Sequence, residues 1–259
     1  MDKATLGGLV LALGGVLCGL MLEGGNLGQV LQPTAAMIVF GGTLGAILIQ
    51  YPLPVALTAF RRLAKVFVEP AQNPRSTIEL LVKYANKARR EGIVSLDKEL
   101  VNIHEPFLRR SLMLAVDGTD SQELRHIMEV ELDNKGEQEE KIPQFFESAG
   151  GFSPTIGIIG AVLGLIQVMQ HLDKIDEVGK GIAVAFVATL YGVGAANLIL
   201  LPVAGKLKIR IRDEQIIREM TIEGVVSILE GMNPRMLETK LTGFLAQAHE
   251  APTAEVSEV

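Results

Sequence analysis

The sequence predicts an all-α membrane protein with four transmembrane helices and a helical cytoplasmic domain inserted between spans two and three. Three observations lead there. Of 259 residues, 48% are hydrophobic and none is Trp. The apolar residues gather in four runs free of Asp, Glu, Lys, Arg and His, at Ala4 to Leu22, Pro33 to Phe60, Gly150 to Gln170 and Gly181 to Gly205. No stretch alternates polar and apolar residues for long enough to make a sheet. Each run can cross a hydrocarbon core of about 30 Å at about 1.5 Å rise per residue.

Taken in order, residues 1–60 hold helices one and two, over about 4–22 and 34–52. The first run follows Lys3 and so resembles a secretory signal, but it is long, lacks an A-x-A site before Glu23, and is followed at once by a second span. It is read as retained. The single cysteine, Cys18, lies within it and forms part of no disulfide or metal motif. The link to span two carries no Lys or Arg, whereas span two exits into Arg61, Arg62 and Lys65. Excess Lys and Arg mark the cytoplasmic side, so both termini are expected there.

Residues 61–148 form the inserted domain. Ser76-Thr77-Ile78-Glu79 has capping-box spacing and predicts a helix start, with Ile78, Leu81, Val82 and Ala85 on one face and Gly92 as its stop. A short LDKELV helix, a PFLRRSLMLAV helix and a longer helix from about Ser121 follow, the last with Gly136 and Pro143 as potential interruptions. Residues 149–205 hold spans three and four, over about 152–170 and 181–203. Span four exits into Lys206, Lys208, Arg210 and Arg212, and its helix is expected to continue through 206–259 with Leu207, Ile211, Ile217, Met220 and Val225 on one stripe before a disordered acidic tail.

No catalytic or metal motif is present: there is no H-E-x-x-H, G-x-S-x-G or phosphate loop, and the four histidines are scattered. Neither enzyme, cofactor nor metal is expected. A net charge of −6 argues against nucleic acid as a partner.

Spans three and four carry the information. Gly157, Gly160, Ala161 and Gly164 give one smooth face, and Ala185, Ala188, Gly192 and Ala196 another. Small residues let helices approach in lipid, and that packing alone would account for them. The second reading is that the same surfaces line a path. Thr155 and Thr189 divide in the same way, between bonding to their own helix and, with Tyr191, bordering an ion route. Pro154 and Pro202 both fall toward the cytoplasmic side, where they would loosen two helices at one level.

The motifs SPTIGIIGAVLGL, AFVATLYGVGAANLILLPVAGKLK, GMNPR and MEVEL (128–132) together resemble the MotA family, the larger subunit of the bacterial flagellar stator, related to ExbB and TolQ channel subunits. The resemblance covers nearly the whole chain. It implies a multi-pass inner-membrane protein of flagellum-dependent motility, a homo-oligomer of five around two MotB-type single-span partners, with ion flow driving rotation and the cytoplasmic domain pressing on a FliG-type switch protein of the rotor. No acid or base lies within the four spans, so an aspartate from the partner would have to carry the ion. At Ala161, sodium-driven relatives tend to carry threonine; a methyl group there points to protons.

Alignment on G-x-x-S-L places the rotor-contact pair at Arg89 and Asp97. Helix phase leaves Arg90 as an alternative to Arg89, and a merely solvated basic face also fits. An ExbB or TolQ relative that energises the outer membrane, or a non-conducting scaffold, are the other readings. The former usually has three spans.

Overall fold

A computed structural model describes residues 2–67 and 73–249; the tail expected to be disordered lies outside the described residues beyond His249. Among the described residues every regular element is helical. The helices are α1 (Lys3–Leu22), α2 (Leu27–Val30), α3 (Pro33–Gln50), α4 (Leu53–Val66), α5 (Pro74–Glu91), α6 (Pro106–Val116), α7 (Ser121–Gln170), α8 (Ile175–Ala195), α9 (Leu201–Leu229) and α10 (Pro234–His249). A 3-10 segment spans Ile93–Asn102, and π-helical turns occupy Met37–Gly41 within α3 and Ala196–Leu200 between α8 and α9. Four helices, α1, α3, α7 and the α8–α9 rod, are long and apolar enough to cross a membrane.

The chain forms two compact units, one of residues 1–69 and 139–208, the other of 70–138 and 209–259. α4 and the stretch after Glu139 pack with the apolar helices in the first unit. In the first unit, Ala56, Ala59 and Val66 of α4 share a core with Ile142, Phe145, Phe146 and Ala149 of α7 and with Val203, Ala204 and Leu207 of α9. Phe145 makes edge contacts with Tyr51, Phe60 and Phe146 at ring separations of 5.4–5.8 Å. Arg62 also meets the buried Glu139 carboxylate at 2.8 Å.

In this unit α1 begins at Asp2, whose carboxylate accepts from Ala4 N and Thr5 N and pairs with Lys206, while its backbone N–H donates to Phe67 O at 3.0 Å. The Lys206 ammonium, followed by the Thr5 N–H, holds that carboxyl well below the usual carboxylate range. No residue of α1 itself is buried within the single chain.

The second unit surrounds a core of Leu81, Leu96, Phe107, Leu112, Leu124, Met128, Met220, Val225, Leu237 and Leu241. Its surface is tied by Glu223, which accepts from Arg125 at 2.6 Å and pairs with Lys240. Two expectations are corrected here. The first helix starts at Pro74 rather than Ser76, because Asn73 Oδ1 caps Arg75 N at 3.0 Å and Pro74 presets the first turn; Ser76 Oγ instead donates to Asn73 O. And α7 runs unbroken for 50 residues through Gly136, Pro143 and Pro154. At Gly136 the reason is close approach: a Cβ there would lie 2.7 Å from Gln215 Nε2 of α9. The LDKELV segment is a 3-10 helix, and α10, capped by Asn233 with Pro234 at its start, had no counterpart in the sequence reading.

Candidate functional site: the contact of two apolar helices

Gly157, Gly160 and Gly164 of α7 meet α8 closely enough that no side chain could be inserted. A Cβ on Gly157 would lie 2.9 Å from Ala188 O and 3.2 Å from Gly192 Cα. One on Gly164 would lie 2.8 Å from both Ala185 N and Gly181 O, and one on Gly160 2.7 Å from Ala188 Cβ. Gly192 is tighter still, at 2.5 Å from Ser153 O and 3.2 Å from Pro154 Cα. Ala188 is fully buried beside Ala35, Val39 and Val187. Backbone against backbone is how helices associate in lipid without a hydrophobic drive between them. Ala196 is fully buried, and Ala161 is half-buried on the neighbouring stripe.

The hydroxyls are committed to backbone. Thr155 Oγ1 donates to Phe152 O at 2.8 Å and Thr189 Oγ1 to Ala185 O at 3.2 Å, the self-satisfaction open to a threonine in a helix. Tyr191 does more. Its hydroxyl donates to Val30 O at 2.5 Å and accepts from Gln32 N at 3.3 Å, and its ring stacks on Phe40 at 5.8 Å. It fastens the link between α1 and α3 to α8, a role additional to the ion-route position expected of it. The hydroxyl that is buried without a hydrogen-bond partner among the described residues is Thr43 of α3, which the sequence reading passed over; nothing in GGTLG distinguishes it.

Pro154 is half-buried inside α7, and Pro202 is exposed just after the π turn. Leu201 N donates to Ala196 O, one residue further back than in an α-helix, and Pro202 has no N–H with which to resume the α pattern at once.

Away from the apolar helices, Arg89 and Arg90 occupy the last turn of α5 and Asp97 the 3-10 segment. All three are exposed and make no ion pair among the described residues. The pair the structure joins is Lys87 with Glu99, at 2.6 Å. The ammonium holds the Glu99 carboxyl below its ordinary range, and the carboxylate raises Lys87. Two acids of α7 pair within the chain: Glu131 meets Arg110 at 3.0 Å and Glu129 meets Arg125 at 3.7 Å. Among the described residues no group of His, Cys, Asp and Glu could hold a metal.

Residues 99–220 match the MotA/TolQ/ExbB proton channel family, and residues 6–92 match motility protein A N-terminal regions. Motility protein A of Bacillus subtilis (strain 168) is 36% identical over 100% of this chain and 96% of its own, and chemotaxis protein PomA of Vibrio alginolyticus is 30% identical over 97% and 98%. Among solved structures, that of C. jejuni MotAB superposes with a TM-score of 0.90 at 32% identity, covering 97% of this chain and 98% of that one. The flagellar MotAB stator complex from Bacillus subtilis gives 0.86 at 36%, covering 94% and 96%. Matched by both family models and, over nearly its whole length, by motility protein A relatives at 30% identity and above, the chain belongs to the motility protein A group of the MotA/TolQ/ExbB proton channel family.

Proposed function

We propose that this chain is the ion-conducting stator subunit of a flagellar motor, coupling proton flow with a MotB-type partner to torque on the rotor. The observation that carries the reading is a contact between α7 and α8 that is built backbone to backbone and contains no acid or base. Such a wall can border an ion route but cannot carry a proton along it, so the titrating group comes from another chain. The solved relatives are MotAB complexes, which supports a single-span MotB-type subunit with an aspartate as that chain. Five copies around two is the stoichiometry that follows from the family resemblance.

The spans are assigned to about 4–22, 34–52, 152–170 and 181–203, with both termini and residues 61–148 and 206–259 on the cytoplasmic side of the inner membrane. The Lys and Arg at the span exits support this. Thr155, Ala161, Thr189 and Tyr191 border the route, with Ala161 favouring protons over sodium. Pro154 and Pro202 serve the conformational cycle, and exposed Arg89, Arg90 and Asp97 meet the rotor's FliG-type switch protein. Unpaired surface charges are what such a transient electrostatic contact needs.

Purification of the complex from membranes with mass measurement tests the core of the proposal. A five-to-two assembly with an aspartate-bearing single-span chain is expected, and a lone chain that binds a solute would overturn it. Motility that follows sodium and ignores the proton gradient would remove the ion assignment. Pro202→Ala should assemble without rotating; failure to assemble would make the proline purely structural.

A further inference from the structure

A cleft of about 530 Å³, within the roughly 300–1,000 Å³ of small-molecule sites, opens between α3, α7 and α8. Its floor is a contact of two glycines: a Cβ on Gly164 would lie 2.8 Å from Gly181 O, and one on Gly181 3.0 Å from Gly164 O. With neither side chain present, a trough remains between Ile38, Leu163, Ile166 and Val184. α3 also starts short of the other two helices. A Cβ on Gly160 would meet Ile38 Cγ2 at 3.3 Å and one on Gly42 would meet Ile156 Cγ2 at 2.8 Å, so α3 runs antiparallel to α7 and Pro33 comes level with Gly164 or Leu165. About the last turn and a half of α7, and the start of α8, stand beyond it.

The walls grade from apolar to polar toward that end. From Leu163 to Gln167 on α7, and from Val184 to Lys180 on α8, one turn takes the lining from hydrocarbon to a polar group. At the α7–α8 link Glu177 accepts from Lys174 at 3.2 Å and lies 3.4 Å from His171 Nε2, while Gln167 O accepts from His171 Nδ1 at 3.0 Å. Glu177 is thus shared between two bases. Lys180 is exposed and makes no ion pair among the described residues, and Asp173 of the link does not line the cleft.

We propose that this cleft holds one glycerophospholipid, with an acyl chain in the trough and the phosphate on Lys180. The inference rests on the span assignment above, which puts this end at the outer membrane face, and not on the ion route, so either can fail alone. A phosphate is the anion that a bilayer supplies at that level, and an ammonium with three donors can hold it. A span of a second copy of this chain would fill the trough but leave Lys180 without a counter-charge, because none of the four charge-free runs contains a carboxylate. A lysine that merely reached up to the headgroups would need no trough beneath it.

The test weighs the whole complex, extracted from membranes in a mild detergent, by native mass spectrometry, and identifies the phospholipid that stays bound. One phospholipid per copy of this chain is expected. Its occupancy should fall at least about fivefold in Lys180→Gln, the loss of one hydrogen bond to a charged group, and as far in Ile166→Trp, which fills the trough. The same spectra show that each variant assembles. Unchanged occupancy in both variants overturns the site, and a loss in Ile166→Trp alone overturns the phosphate contact. A second measurement keeps the lipid in place: benzoylphenylalanine is put in the position of Ile166 and the complex is irradiated in intact membranes. An adduct of phospholipid mass that weakens with Lys180→Gln is expected. An adduct as strong in Lys180→Gln reports bulk lipid and overturns the site, and an adduct to a second copy or to another protein shows that protein covers the cleft and overturns it too.

Discussion

Replacing Gly192 by alanine adds one methyl group where α8 touches α7. Its Cβ would sit 2.5 Å from Ser153 O, about 0.9 Å short of the 3.4 Å at which ordinary contact begins, with Gly157 Cα at 3.0 Å and Pro154 Cα at 3.2 Å. All three neighbours are backbone atoms, so no rotamer change can relieve the clash and the helices must part. Overpacking of this kind costs about 1–3 kcal/mol, offset by a gain of about 1 kcal/mol from alanine's higher helix propensity. Gly194, two residues on, would place its Cβ with nothing within 4 Å. Gly194→Ala should then gain the propensity term alone, and the two variants should differ by about 2 kcal/mol, or roughly 4–8 °C in melting temperature for a chain of this size. Thermal unfolding of the purified complex reads the difference, and swimming speed reports whether the route survives. Melting temperatures for the two variants within about 1 °C of each other would refute a backbone-to-backbone contact at Gly192.

Three further outcomes follow from the geometry. Tyr191→Phe keeps the stacking on Phe40 but strands Val30 O and Gln32 N, a loss of about 1–2 kcal/mol; protease should cut the 23–32 link faster, and unchanged cutting would show that the hydroxyl does not anchor it. Arg62→Ala removes a charge-assisted hydrogen bond from the buried Glu139 and should cost about 2 kcal/mol in urea unfolding, with much of it recovered by Arg62→Met paired with Glu139→Leu; a double variant no more stable than the single contradicts this. For Lys87 and Glu99 the pH dependence has two limbs. Glu99 is depressed, so its contribution is complete above its ordinary 4.5 and lost as pH falls through its folded value; Lys87 is raised, so its contribution is complete below 10.5 and lost as pH rises through its folded value. The stability gap between the native chain and Glu99→Gln should be flat between those limits and close in acid, and a gap unchanged at low pH would remove the pair as its source.

What could be read from the sequence was whatever one residue type decides locally. Charge-free runs gave the four spans because burying an ion in lipid is costly whatever surrounds it, and Gly157 with Ala188 and Gly192 showed as smooth stripes because helical spacing alone aligns them. Features that depend on distant partners stayed hidden. Pro143 read as a potential interruption, yet α7 passes through it, with Ile142 and Phe145 on either side buried in one core. Ser76 was read as the cap because the capping box is a sequence pattern, whereas the observed cap is Asn73, with Pro74 fixing the turn. Tyr191 was read only as bordering an ion route, because the partners of its hydroxyl, Val30 and Gln32, lie about 160 residues away in the chain. Arg89 and Asp97 were placed by the family resemblance alone, while Lys87 with Glu99 needed coordinates.

The π turns at Met37–Gly41 and Ala196–Leu200 have a consequence for how this chain tolerates changes in length. Each is a place where the helix carries one residue more than an α-helical ladder requires, taken up in a single wide turn. Removing one residue inside either turn would let the ladder close as a plain α-helix with both flanks in their present angular phase. The same deletion a few residues away would rotate everything beyond it by about 100°, turning Gly192 or Ala188 off the shared surface. The wide turns are thus the joints at which these rods can lose a residue and keep their faces aligned.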